Sequence, residues 1–115
     1  MLIKVLKSKV HRATVTDAHL EYVGSLTLDE DLMDAVGLIA GELVLVADID
    51  NGTRHETYLI AGARGEGTVC VNGAAARLVG VGDKIIIMAW ALLDPDEAKS
   101  HKPKIVVVDE KNHIQ

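Results

Sequence analysis

The longest apolar run in the chain spans residues 85–93 and reads Ile-Ile-Ile-Met-Ala-Trp-Ala-Leu-Leu. Nine residues is long for a strand, but the isoleucines favour extended backbone and the run carries no helix caps. Residues 80–83, Gly-Val-Gly-Asp, supply a turn immediately before it. The run is therefore predicted to be a strand, which needs other strands to pair with it.

Further aliphatic segments follow the same pattern. They are residues 42–50, 53–61, 68–71 and 105–108, together with two strands within residues 1–16 that a break near Ser8 separates. Asn51-Gly52 predicts a hairpin with a type I′ turn. About seven short aliphatic strands need their edges covered, so the pattern predicts a mainly β fold, a closed or nearly closed barrel.

One stretch has helical periodicity, with apolar residues at Leu28, Leu32, Ala35 and Val36. Thr27 and Glu30 form a capping-box pattern before it, and Gly37 is placed as its C-cap. The three acidic residues at positions 29–31 fall where the helix dipole favours negative charge, which indicates a structural role. Residues 74–77 and the segment that Pro95 begins are predicted only as short helical turns.

Size, composition and charge limit the number of domains and the kinds of partner that the chain can have. A chain of 115 residues is predicted to be one domain, and 49% apolar content with 3% aromatic residues and no Phe implies an aliphatic core. A net charge of −5 without a basic block argues against a nucleic-acid surface. No signal peptide or membrane span is expected, and the single Cys70 fits a reducing, cytoplasmic location.

The familiar cofactor motifs are missing from the sequence. One cysteine and five histidines without paired spacing give no zinc pattern. Asp48-x-Asp50 does not begin a calcium loop, because Gly52 stands at the fifth position where the sixth is required and no Glu closes the loop. Residues 62–67 lack the order of a dinucleotide fingerprint, and no lysine lies in a pyridoxal phosphate context. We therefore expect no metal and no pyridoxal phosphate.

Gly24-Ser25 is the one bond with reactive potential. A serine hydroxyl can attack the carbonyl of a preceding glycine, because glycine offers little steric bulk and tolerates strained backbone angles. This acyl shift from nitrogen to oxygen can end in chain scission and leave a new reactive group. Gly-Ser pairs are common, and on spacing alone the dipeptide is more typical of a plain turn.

Candidate anion-binding groups occur in three places. Arg54, Glu56, Tyr58 and Ile60 share one face of a regular strand, whereas Thr57 lies on the other and could join Arg54 and Tyr58 only through a bulge or at a strand end. Lys9, His11 and Arg12 form the basic cluster of the N-terminal segment. Asn72-Gly73 opens a helical turn with free amides. A solvated strand face and a simple turn remain the alternatives.

Four ordered motifs extend the interpretation over essentially the whole chain. They are Lys9-x-His11-Arg12-Ala13-x-Val15-Thr16-x-Ala18-x-Leu20-x-Tyr22-x-Gly24-Ser25, Asn51-Gly52-x-Arg54-x-x-Thr57-Tyr58, Val71-Asn72-Gly73-Ala74-Ala75-Ala76-Arg77 with Gly82-Asp83, and Pro103-x-Ile105-Val106. In this order they closely resemble the aspartate 1-decarboxylase family, pyruvoyl-dependent enzymes that make β-alanine.

The resemblance implies a double-psi β-barrel assembled as a homotetramer, with active sites between subunits. It implies a proenzyme that cuts itself between Gly24 and Ser25 into fragments 1–24 and 25–115. Ser25 would become a pyruvoyl group that forms a Schiff base with L-aspartate, giving β-alanine and CO2 for pantothenate and coenzyme A synthesis. A maturation partner is a further possibility that the resemblance leaves open.

The resemblance also implies roles for individual residues. Tyr58 would donate the proton, and Thr57 would serve processing and substrate contact. The bidentate fork of Arg54 suits a carboxylate, and our own hypothesis is that it holds the substrate side-chain carboxylate with help from Lys9. The remaining expected site residues are the substrate-binding Gly73, Ala74 and Ala75 and the nearby His11, Tyr22 and Asn72. The chain departs from the expected pattern at Asp48 and Asp50, which make the hairpin tip more acidic, and in the looser segment 62–67.

Two other functions remain open at this point. One is a pyruvoyl decarboxylase of another acidic amino acid such as glutamate, because the length of the pocket is not visible in the sequence. The other is a non-catalytic β-barrel used for binding, in which Gly24-Ser25 is an ordinary turn.

Overall fold

The computed structural model describes residues 1–115, which form eight strands and three short helices. The strands are β1 (Ile3–Thr14), β2 (Asp17–His19), β3 (Ser25–Asp29), β4 (Leu43–Asp48), β5 (Arg54–Gly62), β6 (Val69–Asn72), β7 (Lys84–Leu93) and β8 (Lys104–Val107). The helices are α1 (Glu30–Val36), α2 (Pro95–Ser100) and a 3₁₀ helix over Gly73–Arg77. The strand over residues 85–93, the helical segment after Pro95 and the strand after Pro103 are all confirmed.

The strands form one sheet in the order β2-β6-β3-β5-β4-β7-β1-β8. Val15 and Thr16 connect β1 directly to β2, and these two strands pair with opposite parts of the sheet, β1 with β7 and β2 with β6. The amide of Thr16 also donates to the Val69 carbonyl over 2.8 Å. This connection therefore links the two ends of the sheet, which fits the predicted closed or nearly closed barrel.

The core of the barrel is aliphatic. Alternate residues of β7 point inward, with Ile85, Ile87 and Ala89 fully buried, whereas Trp90 and Leu92 on its outer part are exposed. The core contains no aromatic side chain and consists of Val, Leu, Ile, Met and Ala residues. No helix is long and apolar enough to cross a membrane.

The N-terminal segment is one strand, so the prediction of two strands separated near Ser8 was wrong. The pairing of β1 with β7 shifts register between Leu6 and Ser8 and again between Val10 and Ala13. The sequence pattern changes near Ser8 because the register shifts there, and the strand continues through the irregularity. Ser8 is buried and donates from Oγ to the Val36 carbonyl over 2.6 Å, which satisfies its hydroxyl inside the barrel.

The helix begins later than the capping box predicted. Thr27 lies in β3, where pairing with both β5 and β6 keeps residues 25–29 extended. Asp29 is the N-cap and accepts from the Asp31 amide over 2.9 Å, while Gly37 is the C-cap with φ of 73° as predicted. Asp29 also accepts from the amides of Gly65 and Gly67, so this carboxylate is structural. Those amides help to hold the pKa of Asp29 below its usual value despite burial.

The hairpin between β4 and β5 exists, but its turn is not type I′. Residues 49–53 form the connection, and only Gly52 has a left-handed backbone, with φ of 75°. A type I′ turn needs positive φ at both central residues, and Asn51 does not have it. Instead, Asp48 Oδ1 accepts from the amides of Asp50 and Asn51 and holds the loop.

Candidate active site

Ser25 lies where an exposed loop enters the barrel wall. Residues 21–24 are exposed, whereas Ser25, the first residue of β3, is only 1% exposed. In β3, Leu26 and Leu28 point into the core, so Ser25 and Thr27 belong to the opposite face. The Gly24–Ser25 bond therefore joins an accessible glycine to a serine whose side chain is shielded from solvent.

Asn72 holds the Ser25 hydroxyl. Its Nδ2 donates to Ser25 Oγ over 3.0 Å and to Thr27 Oγ1 over 3.1 Å, and Ser25 Oγ donates to the Val23 carbonyl over 3.0 Å. Ser25 and Asn72 are register partners in the antiparallel pairing of β3 with β6. The sequence placed Asn72 near the site, and the structure brings it into direct contact with Ser25.

Cys70 orients Asn72. Its thiol donates to Asn72 Oδ1 over 3.3 Å, which directs the amide nitrogen toward Ser25. Burial, with a smaller contribution from Asp17, raises the pKa of the Cys70 thiol, so the sulfur keeps the proton that it donates. The prediction that Cys70 is buried is confirmed. Sequence reasoning treated it as inert and missed this contact, although its two-residue spacing from Asn72 was a usable signal.

Gly73 packs directly against Gly24. Gly73 has φ of 79°, and a Cβ there would lie 2.6 Å from Gly24 Cα and 2.9 Å from the Gly24 nitrogen. Only glycine fits, because those neighbours are backbone atoms that have no freedom to move away. The predicted helical turn is confirmed as a 3₁₀ helix, and Gly73, Ala74 and Ala75 begin it beside the Gly24–Ser25 bond.

Tyr58 of strand β5 lies beside Ser25 in the register of the sheet. The parallel pairing of β3 with β5 matches Leu26 with Leu59. Continued backward, this register sets Ser25 beside Tyr58 and Gly24 beside Thr57. Tyr58 and Ser25 both lie on the face opposite to the core, and Tyr58 is 40% exposed.

Thr57 remains on the other face of β5. Pairing of this strand with β4 is unbroken from Arg54 to Tyr58, so the bulge that would have turned Thr57 toward Tyr58 is absent. Arg54, Glu56 and Tyr58 are exposed, whereas Thr57 is half-buried. The alternation predicted from the sequence is therefore confirmed for residues 54–59.

The basic cluster lies elsewhere on the barrel. Lys9 pairs with Met88 and Ile105, and His11 pairs with Val107, in the β7-β1-β8 part of the sheet. His11 Nδ1 is buried without a hydrogen-bond partner, and burial followed by the charges of Lys9 and Arg12 lowers the pKa of the ring. Within one chain, no hydrogen bond or ion pair joins Lys9, His11 or Arg54 to Ser25.

A cleft of about 800 Å³ opens beside the Ser25 group. Three of its lining residues, Tyr22, Thr27 and Asn72, surround Ser25 in sequence or by contact, and the others are Thr16, Asp17, His19, Glu21, Thr68 and Cys70. Tyr22 is exposed on the loop that leads to the Gly24–Ser25 bond. The sequence did not identify Thr27 as a member of this group, because it assigned that residue to a helix cap.

The fold places the chain in a known structural class. It is similar to the crystal structure of the computationally designed msDPBB_sym2 protein, with a TM-score of 0.53 and 23% identity, covering 75% of this chain and 98% of that one. That protein is a designed double-psi β-barrel, and the chain is a double-psi β-barrel.

The sequence comparisons are more specific. The model of the aspartate decarboxylase family matches residues 1–115. Aspartate 1-decarboxylase of Caldicellulosiruptor saccharolyticus is 64% identical over 99% of this chain and 89% of its own length. The enzymes of Acetivibrio thermocellus and Lactiplantibacillus plantarum are 58% and 57% identical over 99% of this chain and 90% and 88% of their own lengths. The chain belongs to the aspartate decarboxylase family and is a carbon–carbon lyase.

Proposed function

We propose that this chain decarboxylates L-aspartate to β-alanine and CO2, using a pyruvoyl group made from Ser25 after the chain cuts itself between Gly24 and Ser25. Family membership supports the reaction. The observation that carries the site is the contact of Asn72 Nδ2 with Ser25 Oγ, beside an exposed Gly24 that packs against Gly73. The products of the cut would be fragments 1–24 and 25–115 of one domain.

The proposed cut begins at the Ser25 hydroxyl. Attack of Oγ on the Gly24 carbonyl forms an ester and breaks the amide, and the hydroxyl proton ends on the freed Ser25 nitrogen. Elimination then transfers the Ser25 α-proton to solvent, breaks the Cβ–Oγ bond, releases Gly24 as a carboxylate and leaves a dehydroalanine, which water converts to pyruvoyl with loss of ammonia. None of the hydrogen-bond partners of Ser25 is a side-chain base, so we expect the first step to be slow.

The residues around position 25 fit a pyruvoyl group. Such a group supplies a ketone that condenses with the substrate amine and acts as an electron sink. Asn72 Nδ2 now donates to Ser25 Oγ and is a donor available to an oxygen of the group formed there. Asn72 and Thr27 line the cleft, and Asn72 contacts Ser25 directly, so the cleft is the proposed approach for a substrate.

Tyr58 is the proposed proton donor to the former α-carbon. It is level with Ser25 in the sheet and shares its face. A phenol is a weak acid at neutral pH, so its position beside position 25 has to compensate. Thr57 is level with Gly24 but on the opposite face, which fits a role in the geometry of the cut better than substrate contact in the same chain.

Arg54 and Lys9 are proposed to bind the substrate side-chain carboxylate, with Arg54 as the bidentate donor. Holding the carboxylate that stays is favoured, since holding the one that leaves would stabilise the ground state. Arg54 and Tyr58 are four positions apart on one face of β5, about 13 Å between their Cα atoms at strand spacing. Arg54 is exposed, and its side chain makes no hydrogen bond or ion pair with Tyr58 or Ser25 of the same chain.

The lack of such a contact within one chain fits the proposed active sites between subunits of a homotetramer. Lys9 of β1 is separated from β5 by strands β7 and β4, because Lys9 pairs with Met88, Met88 with Leu45, and Leu45 with Glu56. Three strand spacings make a distance of about 14 Å between the backbones of Lys9 and Glu56. Exposed apolar side chains occupy the outer face of the strands between them, at Leu43, Trp90 and Leu92. Such a patch is typical of a protein–protein interface. A second copy on this face would bring its own Arg54 or Lys9 toward Ser25.

The amides of Gly73, Ala74 and Ala75 are proposed to complete substrate binding, with His11 and Tyr22 nearby.

The cellular setting is part of the proposal. Cys70 is a free thiol and the only cysteine, which fits a reducing, cytoplasmic location. β-Alanine made there would feed pantothenate and coenzyme A synthesis.

Denaturing mass spectrometry and product analysis test the proposal together. We expect fragments split at 24/25, the larger carrying a pyruvoyl mass, and β-alanine formed from L-aspartate. Ser25→Ala should stay whole and inactive. A chain that stays intact and makes no β-alanine would favour a non-catalytic barrel, and faster turnover of glutamate than of aspartate would reassign the substrate.

A further inference from the structure

We propose that Asp17, His19 and Cys70 form a binding site for a divalent cation of the zinc class, at the mouth of the cleft beside Asn72. One ligand atom of each residue, a carboxylate oxygen, an imidazole nitrogen and the thiol sulfur, lies within 4.8 Å of the other two. All three residues line the cleft. The sequence showed no zinc pattern, because the two parts of this group are remote along the chain.

The sheet holds these ligands in place. Strands β2 and β6 pair in parallel with Asp17 opposite Cys70 and His19 opposite Asn72. Asp17 and His19 are two residues apart and therefore share a face of β2. Their side chains already meet, with His19 Nε2 and Asp17 Oδ2 3.0 Å apart. Both side chains are about half exposed, so a cation can reach them from the cleft without unfolding the core.

The donor set selects the metal. One nitrogen, one oxygen and one sulfur ligand form the borderline-soft combination that zinc accepts, whereas calcium and magnesium prefer oxygen alone. Three protein ligands leave a fourth position open toward the cleft for water. Binding requires the Cys70 thiol to lose its proton to water, and the cation supplies the charge that makes this loss favourable.

Metal binding at Cys70 would change the position of Asn72 and through it the orientation of the Ser25 hydroxyl. The effect on cleavage rests on the proposed self-cleavage at Ser25. A metal-bound thiolate has no proton to donate, so the bond from Cys70 to Asn72 Oδ1 is lost. Asn72 then loses the contact that directs its Nδ2 toward Ser25 Oγ. We infer that zinc slows the cut between Gly24 and Ser25 several-fold by releasing the side chain that positions the nucleophile.

The site itself is tested on the full-length Ser25→Ala chain, which does not depend on cleavage. Titration with Co²⁺, a zinc surrogate, should produce a thiolate-to-cobalt charge-transfer absorption that saturates at one metal per chain and disappears when Zn²⁺ is added. Cys70→Ser should abolish the absorption. His19→Ala and Asp17→Asn should each weaken binding at least tenfold, whereas His113→Ala and Asp96→Asn should not change it.

Two results would overturn the site: no charge-transfer absorption in the Ser25→Ala chain, or an absorption that His19→Ala and Asp17→Asn leave unchanged. These two substitutions lie at half-exposed positions, so folding remains intact for the comparison.

The link to Ser25 is tested on the wild-type chain, where Zn²⁺ should slow cleavage and His19→Ala should remove that effect. Cleavage that Zn²⁺ leaves unchanged or accelerates would overturn the proposed effect of zinc on Ser25. If the metal-free wild-type chain is not cut at all, the proposed self-cleavage is contradicted instead.

Discussion

Asn72 donates a hydrogen bond from Nδ2 to Ser25 Oγ over 3.0 Å, between register partners in strands β6 and β3. The same amide is held on its other side by the Cys70 thiol. The position of the serine oxygen is therefore set by a strand that lies far from it in the sequence.

Asn72→Ala should slow cleavage of the Gly24–Ser25 bond about fivefold, the rate equivalent of one hydrogen bond of roughly 1 kcal/mol. The loss leaves Ser25 free to turn and Thr27 without its donor. The measurement is the fraction of fragment 25–115 with time after purification. Asn51→Ala is the control, because that side chain bonds to the Leu78 carbonyl and not to Ser25. Equal cleavage rates for the Asn72 variant and wild type would contradict the assignment.

Gly73→Ala should destabilise the chain by about 3 kcal/mol, since a Cβ there collides with Gly24 and adds strain at positive φ. Gly82→Ala is a matched control, with φ of 92° but no atom within 4 Å of a new Cβ. It should cost only about 1 kcal/mol. Urea unfolding of both variants gives the comparison, and similar losses would show that the Gly73–Gly24 contact is loose.

Arg54→Lys should weaken aspartate binding about tenfold or more, because an ammonium cannot reproduce bidentate contact with a carboxylate. Cleavage at 24/25 should be unaffected, since no contact joins Arg54 to Ser25. The measurements are KM for aspartate and fragment yield, with Arg64→Lys as the control on the Glu30, Asp31 and Asp34 cluster. Impaired cleavage in Arg54→Lys would assign this residue to processing.

Asp48→Asn should stabilise the protein at neutral pH by about 1 kcal/mol. Burial, and then the neighbouring Asp83 carboxyl, raise the pKa of Asp48, and its Oδ2 is buried without a hydrogen-bond donor. A raised pKa means that the folded state holds this proton more tightly, so wild-type stability falls as pH rises from about 3.9 through the raised value.

Thermal unfolding at pH 4 and pH 8 tests this sign. The gain in Tm from Asp48→Asn should be larger at pH 8, where the wild-type carboxyl loses its proton. Asp96→Asn, on the exposed face of α2, should leave Tm unchanged at both values. A gain that is larger at pH 4 would mean that Asp48 is stabilised as an anion.

Local patterns predicted some elements correctly and failed where pairing decided the outcome. The isoleucine run of β7 and the Gly37 cap depend on neighbouring residues, and both were found as predicted. Residues 25–29 were assigned partly to a helix because the capping box is a local signal. Pairing of β3 with β5 and β6 outweighs that preference, and the strand count becomes eight because β2 and β3 appear while β1 is continuous.

The sequence alone determined the aliphatic β-rich class and, through ordered motifs, the family, and it singled out Gly24-Ser25 as the candidate reactive bond. These properties depend on residue type and spacing along the chain. Tertiary structure decided which side chains meet: Asn72 with Ser25, Gly73 with Gly24, and Asp17 and His19 with Cys70. The reason is that sheet register joins residues remote in sequence, and that register is set by the burial of a core to which every strand contributes.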